Sequence, residues 1–225
     1  YAILAAIWIT FLAQLIVFWG ISRSLHDTLF VLQPDALGNV WTLVTSVLSH
    51  SPVSLYHIIG NSIVILFFGP LVERAVGSKK FAAFFFASGI AAGLGQVGLQ
   101  ALQSGPGTYG VLGASGAALA ILGFLTVIKP DLTVYLYFLL QVPIWAITGL
   151  YASISIAGTF AAGSSLLDGN VAHTAHLLGL VIGLWSGRRI KNRVRVPGTL
   201  QFGRGGGSPG GPGGPGGPGG PGGRF

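Results

Sequence analysis

The sequence predicts an all-α membrane protein: a bundle of six transmembrane helices followed by a disordered tail. Of the 225 residues, 51% are hydrophobic and only 8% are charged, and the mean hydropathy is +0.73. Soluble domains carry about 25% charged residues. Six apolar stretches are long enough to cross a bilayer core of roughly 30 Å as helices. They lack the polar stripe at a 3.6-residue period that a soluble helix would show.

The predicted spans form one membrane domain over residues 1–195. The first loop, 22–54, is too long to lack structure. Its segment 40–48 mixes apolar and small polar residues with Trp41, so we expect it to lie at the membrane surface or to dip into it. The six spans are expected at 1–21, 55–71, 80–102, 111–128, 132–157 and 171–187.

Residues 196–225 have a different composition. Five Pro-Gly-Gly units follow Ser208. A collagen-like helix needs longer repeats with more imino acids, so a flexible, disordered cytosolic tail is predicted.

The distribution of basic residues predicts the orientation. Eleven of the twelve Lys and Arg residues follow the second, fourth or sixth predicted span, and only Arg23 lies in the first loop. Lys and Arg in short loops mark the cytosolic side, so we expect a multi-pass cell-membrane protein with both termini cytosolic. The net charge of +7 then reflects topology and not nucleic-acid binding. The basic run 188–195 (Arg188 to Arg195) is expected to contact anionic lipid.

Polar residues on three predicted spans share one depth near the external boundary. His57 and Asn61 fall in the first two turns of the second span, Ser115 in the first turn of the fourth, and His176 near the start of the sixth. At 1.5 Å per residue all four lie within about 10 Å of the boundary. Polar groups are costly inside a membrane, so this shared depth indicates a functional site.

Serine alone is common in membrane helices as a hydrogen-bonding group, but the surroundings of Ser115 favour a nucleophile. Gly113, Ala114 and Gly116 leave little side-chain bulk, so a substrate backbone can approach the hydroxyl. A helix N-terminus also offers free N–H groups and the positive end of the dipole, which suit a developing oxyanion.

The pattern after His176 favours close helix packing. Gly179, Gly183 and Gly187 repeat at every fourth position, which lets the sixth span pack against the small residues of the fourth. We expect this packing to carry His176 within hydrogen-bonding reach of Ser115, as its general base.

Three other residues are candidates for support. His57 and Asn61 lie one turn apart and face the same way; they either donate to the oxyanion or form an ordinary interhelical pair. His50 serves either the loop structure or the oxyanion region. The external acids, such as Asp27, lie in loops and not at the depth of the site, so a dyad is predicted and not a triad.

The chain closely resembles the rhomboid family of intramembrane serine proteases over residues 40–187. The resemblance is carried, in order, by His50, His57-x-x-x-Asn61, Glu73-x-x-x-Gly77-Ser78 with Phe81, Gly113-Ala114-Ser115-Gly116 and Ala175-His176-x-x-Gly179-x-x-x-Gly183. It implies a six-helix fold and a Ser115–His176 dyad. It also implies an oxyanion hole from the Ser115 backbone, His57 and Asn61, and substrates that are transmembrane proteins. Two positions depart from the family pattern: Leu119 replaces a frequent aromatic residue, and Trp41 is not followed by Arg.

Two other functions compete with proteolysis. His173, His176 and His57 could supply three imidazoles to a metal, although we expect no metal or other cofactor. A catalytically inactive, rhomboid-like protein that binds membrane clients is the second alternative.

Overall fold

The computed structural model describes residues 1–34, 38–104, 110–136, 140–160 and 172–193. Its elements are, in chain order, α1 (Ala2–Leu15) continued by a π-helix (Ile16–Ile21), α2 (Arg23–Phe30), α3 (Thr42–Leu48), α4 (Leu55–Val76), α5 (Ser78–Ser104), α6 (Ser115–Ile128), β1 (Thr133–Leu136), β2 (Leu140–Pro143), α7 (Ile144–Phe160) and α8 (His173–Ile190), which ends in a 3₁₀ turn (Lys191–Arg193). The predicted tail lies outside the described residues.

Three helices of the described chain are long and apolar enough to cross a membrane. They cover Ala2–Ile21, Leu55–Val76 and Ser78–Leu102, whereas Ser115–Ile128 and Ile144–Phe160 are shorter apolar helices. The predicted end of the second span at residue 71 is wrong, because α4 continues through Pro70 to Val76. Leu71 and Val72 are buried in the core, and their packing extends the helix beyond the proline. The break comes at Gly77, whose positive φ of 87° favours glycine.

The predicted start of the fourth span at residue 111 is also wrong. Val111 instead pairs with Leu32 of the first loop through two backbone hydrogen bonds of 2.9 and 2.8 Å. Gly113 then adopts φ 132° and donates its N–H to the Ser46 carbonyl at 2.9 Å. A residue with that φ cannot belong to a right-handed helix, so α6 begins at Ser115.

The prediction of a helix over 132–157 is wrong at its beginning. The strands Thr133–Leu136 and Leu140–Pro143 pair antiparallel, with Thr133 opposite Pro143, and helix α7 starts only at Ile144. Thr, Val and Tyr in this run favour strands. Pro143 lies at the end of β2 and not inside the span.

The first loop contains two helices. Ser22 Oγ caps α2 by accepting from the Leu25 N–H, and Trp41 Nε1 donates to the Thr28 carbonyl at 3.0 Å. Helix α3 covers most of the segment that we expected at the membrane surface. It packs against α5, with the Val47 side chain pressed onto Gly89.

The core centres on α6, in which residues 116–125 are all buried. Its main partner is α8, and the two helices meet along a seam of small residues. A Cβ added at Gly179 would overlap the backbone of Gly116, and one at Gly183 would overlap that of Ala120. This seam brings together the first turns of α6 and α8.

Candidate active site

Ser115 is the first residue of α6 and stands just after a sharp change of chain direction. The positive φ of Gly113 turns the extended segment into the helix, and its hydrogen bond to Ser46 holds the turn. The Ser115 side chain is half-buried. A small cavity of about 10 Å³ lies beside it, between Ser46, Gly113 and Ala175. That volume is about the minimum for one water molecule.

The start of α6 leaves backbone donors next to the hydroxyl. The first intrahelical bond runs from the Ala118 N–H to the Ala114 carbonyl, and no side chain caps the helix. The N–H groups of Ser115, Gly116 and Ala117 therefore have no partner within the helix. Together with the positive end of the helix dipole, they can stabilise an anion beside Ser115.

His176 lies in the first turn of α8, opposite the start of α6. A Cβ added at Gly116 would lie 3.6 Å from the Ala175 carbonyl oxygen. The residue after Ser115 is thus a close neighbour of the residue before His176, and both line the same small cavity. Within the described residues, however, no hydrogen bond joins Ser115 and His176.

The ring of His173 packs beside His176, with the two ring centroids 6.2 Å apart. It lies against Gly158 of α7 and is only 9% exposed. Both of its nitrogens are buried without a hydrogen-bond partner. His173 is therefore an interior residue, packed between α7 and the ring of His176.

His57, in the first turn of α4, points its ring toward the turn that precedes Ser115. The Ser51 N–H donates to His57 Nδ1 at 3.3 Å. In the neutral ring the proton then lies on Nε2. A Cβ added at Gly113 would lie 2.8 Å from this Nε2 and 3.7 Å from Ser115 Oγ. An N–H donor is thus present on the side of Gly113 that faces the hydroxyl.

Asn61 is buried, but part of its hydrogen-bonding capacity is used within α4. Its Nδ2 donates to the His57 carbonyl at 2.9 Å. This bond links Asn61 to the backbone of His57 and leaves its second N–H for another acceptor.

The His50 ring packs against the His57 ring. The two rings are in edge contact, with centroids 5.0 Å apart, and His50 Nδ1 donates to the Leu48 carbonyl at 3.3 Å. Burial, and to a smaller extent the neighbouring His57, lowers the pKa of His50 to about 3. Its ring is therefore neutral at physiological pH. The described residues include no group of three or more side chains that could hold a metal ion.

A family model, the Rhomboid domain, matches residues 37–193, which is most of the chain and includes every site residue described above. The chain belongs to the rhomboid family.

Rhomboid proteins of known sequence match at low identity. The chain is 26% identical over 199 residues to "RHOMBOID-like protein 12, mitochondrial" of Arabidopsis thaliana. This match covers 80% of this chain and 56% of that protein. It is 28% identical over 148 residues to "Putative rhomboid protease YdcA" of Bacillus subtilis (strain 168), covering 64% of each chain. It is 28% identical over 166 residues to "Presenilin-associated rhomboid-like protein, mitochondrial" of Rattus norvegicus, covering 72% of this chain and 42% of that protein. The chain thus spans about half the length of these relatives.

Two buried glutamines of this rhomboid protein were missed from the sequence. Gln96 of α5 accepts the backbone N–H of Ala175 at 3.1 Å and so fixes the first turn of α8. Gln14 of α1 accepts the backbone N–H of His50 at 2.8 Å. The only sequence signal is an uncharged polar residue inside an apolar span, which is costly without a partner.

Proposed function

We propose that this rhomboid protein is a serine endopeptidase that cleaves transmembrane proteins within the membrane, with Ser115 as nucleophile and His176 as general base. The observation that carries the proposal is that Gly116 and Ala175, each the chain neighbour of one dyad residue, lie close together and line the same small cavity as Ser115. Catalytic hydrogen bonds are often long in enzymes without substrate and tighten in the complex.

In this mechanism Ser115 Oγ attacks the carbonyl carbon of the scissile peptide bond, and His176 takes the hydroxyl proton. The oxyanion of the tetrahedral intermediate accepts hydrogen bonds from the N–H groups at the start of α6 and from His57 Nε2–H. His176 then gives its proton to the leaving amine as the C–N bond breaks. Water, activated by His176, hydrolyses the Ser115 ester and regenerates the enzyme.

The membrane arrangement is part of the same proposal. Helices α1, α4, α5, α6, α7 and α8 act as six spans in this proposal, and the basic residues after α4, α6 and α8 support a cytosolic position for both termini. The site then opens toward the external face, near the starts of α4, α6 and α8. We propose the cell membrane as the location of this protein. Two of the relatives carry mitochondrial names, and localisation of the protein in its source cell distinguishes the two membranes. The basic run at Arg188 and Arg189, where Arg189 lies 4.6 Å from the Trp185 ring centroid, contacts anionic lipid.

The test is cleavage of a transmembrane reporter by the purified protein, together with labelling by a fluorophosphonate probe. Wild type should cleave the reporter and be labelled at Ser115. Ser115→Ala and His176→Ala should each abolish cleavage while folding normally, and the double variant should be no worse than either, because the dyad acts as a unit. Cleavage that persists in Ser115→Ala, or that requires added zinc, would contradict this mechanism.

An inactive, client-binding rhomboid is the second candidate. It is favoured by the absence of a Ser115–His176 hydrogen bond in the described residues and by relatives named only as rhomboid-like. A wild-type protein that binds transmembrane segments, yet neither cleaves them nor reacts with the probe, would establish this alternative.

A further inference from the structure

A chain of hydrogen bonds, buried except at its outer end, runs from α2 through α1 to the segment beside His57. The His50 N–H donates to Gln14 Oε1 at 2.8 Å, and Gln14 Nε2 lies 3.0 Å from His26 Nε2. His26 Nδ1 lies 2.9 Å from Asp27 Oδ1. Gln14 is fully buried and His26 is 2% exposed. Burying such groups is unfavourable unless their hydrogen bonds are made. These bonds are therefore needed to keep Gln14 and His26 in the interior.

The chemistry of the groups fixes the direction of each bond. A backbone N–H only donates, so Gln14 presents its oxygen to His50 and its NH₂ group to His26. An amide nitrogen also only donates, so His26 Nε2 accepts. The His26 proton is then on Nδ1 and is donated to the Asp27 carboxylate. Every donor therefore points the same way, from His50 toward Asp27.

The inner end of this chain is attached to His57 at two points. The His50 ring contacts the His57 ring edge-on, and the N–H of Ser51, the next residue, donates to His57 Nδ1. The second contact selects the tautomer that carries its proton on Nε2, the nitrogen that lies near Gly113. Fixing residues 50 and 51 therefore fixes both the orientation and the tautomer of His57.

We propose that Gln14, His26 and Asp27 are positioning residues. Their chain of hydrogen bonds from His50 to Asp27, here called the relay, holds the His50–Ser51 segment and thereby aims the Nε2–H of His57 at the oxyanion. This inference rests on the proposed function, because His57 has an oxyanion to stabilise only in an active protease. None of the three residues touches the substrate. They act by preventing His57 from turning away from Gly113.

Two substitutions at Gln14 separate positioning from simple packing. Gln14→Met keeps the length of the side chain but leaves the His50 N–H without an acceptor. Gln14→Glu retains an oxygen for the His50 N–H and keeps a second polar group beside His26. We expect Gln14→Met to lower kcat by about tenfold to a hundredfold, as small misplacements of catalytic groups do. KM should be unchanged, and Gln14→Glu should keep most of the activity.

A control on the same helix is Trp8→Phe, which removes the 3.1 Å hydrogen bond from Trp8 Nε1 to Ser62 Oγ and does not touch the relay. It should retain wild-type kcat. The decisive measurement is Gln14→Met in a His57→Ala background. If Gln14 acts through His57, the double variant should have the same kcat as His57→Ala alone.

The opposite results overturn the relay. These are wild-type kcat in Gln14→Met, equal kcat losses in Gln14→Met and Trp8→Phe, or a further loss from Gln14→Met in the His57→Ala background. If the wild-type protein is active and any of these results is obtained, the relay is rejected and the proposed function is not. Wild type that neither cleaves the reporter nor reacts with the fluorophosphonate probe rejects the proposed function, and the relay with it.

Discussion

Substituting Gly183 with alanine tests whether the seam between α6 and α8 aligns the dyad. Gly183 is seven residues from His176, about 10 Å along the helix axis, and its contact Ala120 is five residues from Ser115. The substitution therefore cannot touch a substrate carbonyl at Ser115. Any effect on activity must be transmitted by the positions of the two helices.

The structure gives the size of the expected shift. The new Cβ would overlap the carbonyl oxygen of Ala120 and would lie 2.8 Å from both its Cα and its carbonyl carbon, whereas ordinary contacts begin at 3.4 Å. The helices must therefore separate by at least about 0.6 Å, since backbone atoms cannot rotate away as a side chain can. A displacement on the order of 1 Å at reacting groups can cost about a hundredfold in rate. Overpacking of this kind costs about 1–3 kcal/mol of stability.

The assay is reporter cleavage in detergent, measured well below the Tm of every variant. Gly183→Ala should insert normally, lose at least about tenfold in kcat/KM and have a lower Tm. Gly187→Ala should have a smaller effect, because its Cβ would lie 3.0 Å from its nearest neighbours.

Gly98→Ala is the matched control, because its Cβ would meet nothing within 4 Å. It should retain full activity and gain up to about 1 kcal/mol from helix propensity. Wild-type activity and Tm in Gly183→Ala would refute the reasoning and would mean that other contacts, such as that of Gln96 with α8, align the dyad.

Three further predictions concern the oxyanion side of the site. His57→Ala should lower kcat by on the order of a hundredfold, and Asn61→Ala by less because one of its N–H groups is already bonded within α4; equal kcat values in both variants and wild type would assign the pair to structure. Gly113→Ala should remove most reporter cleavage, because φ 132° is strained for alanine and its Cβ would collide with the His57 ring; normal cleavage would mean that this turn adapts freely. Because the pKa of His50 is lowered from about 6.5 to about 3, the unfolded chain binds the proton more tightly between these values, so stability is lost as pH falls below about 6.5. His50→Phe should therefore show a flatter dependence of Tm on pH than wild type, and parallel curves would contradict this.

The sequence by itself determined the class and the family. Long apolar stretches without a polar stripe predict membrane helices. A helix makes its backbone hydrogen bonds internally, so an apolar composition and sufficient length are enough to indicate a span. The ordered motifs, from His57-x-x-x-Asn61 to the glycines after His176, predicted the rhomboid family, and the match over residues 37–193 confirms it. Roles for Ser115 and His176 stay predictions, since the experiments described above decide them.

The boundaries were decided by tertiary structure. In an apolar stretch, helix and strand have similar composition, so the Thr-Val-Tyr run was only a weak signal for the strands at 133–136 and 140–143. Nothing local marked the extended segment before Ser115. The start of α6 depends on pairing between Val111 and Leu32 and on the bond from Gly113 to Ser46. These partners are separated by more than sixty residues.

Partners for polar groups were likewise decided only in the folded chain. Gln14 and Gln96 looked like isolated polar residues in apolar spans, and the sequence does not say which backbone N–H each one accepts. Those contacts, with His50 and Ala175, arise when helices far apart in sequence pack together. An unpaired polar group is costly in a membrane interior, so sequence can indicate that each glutamine needs a partner, but only packing determines which one.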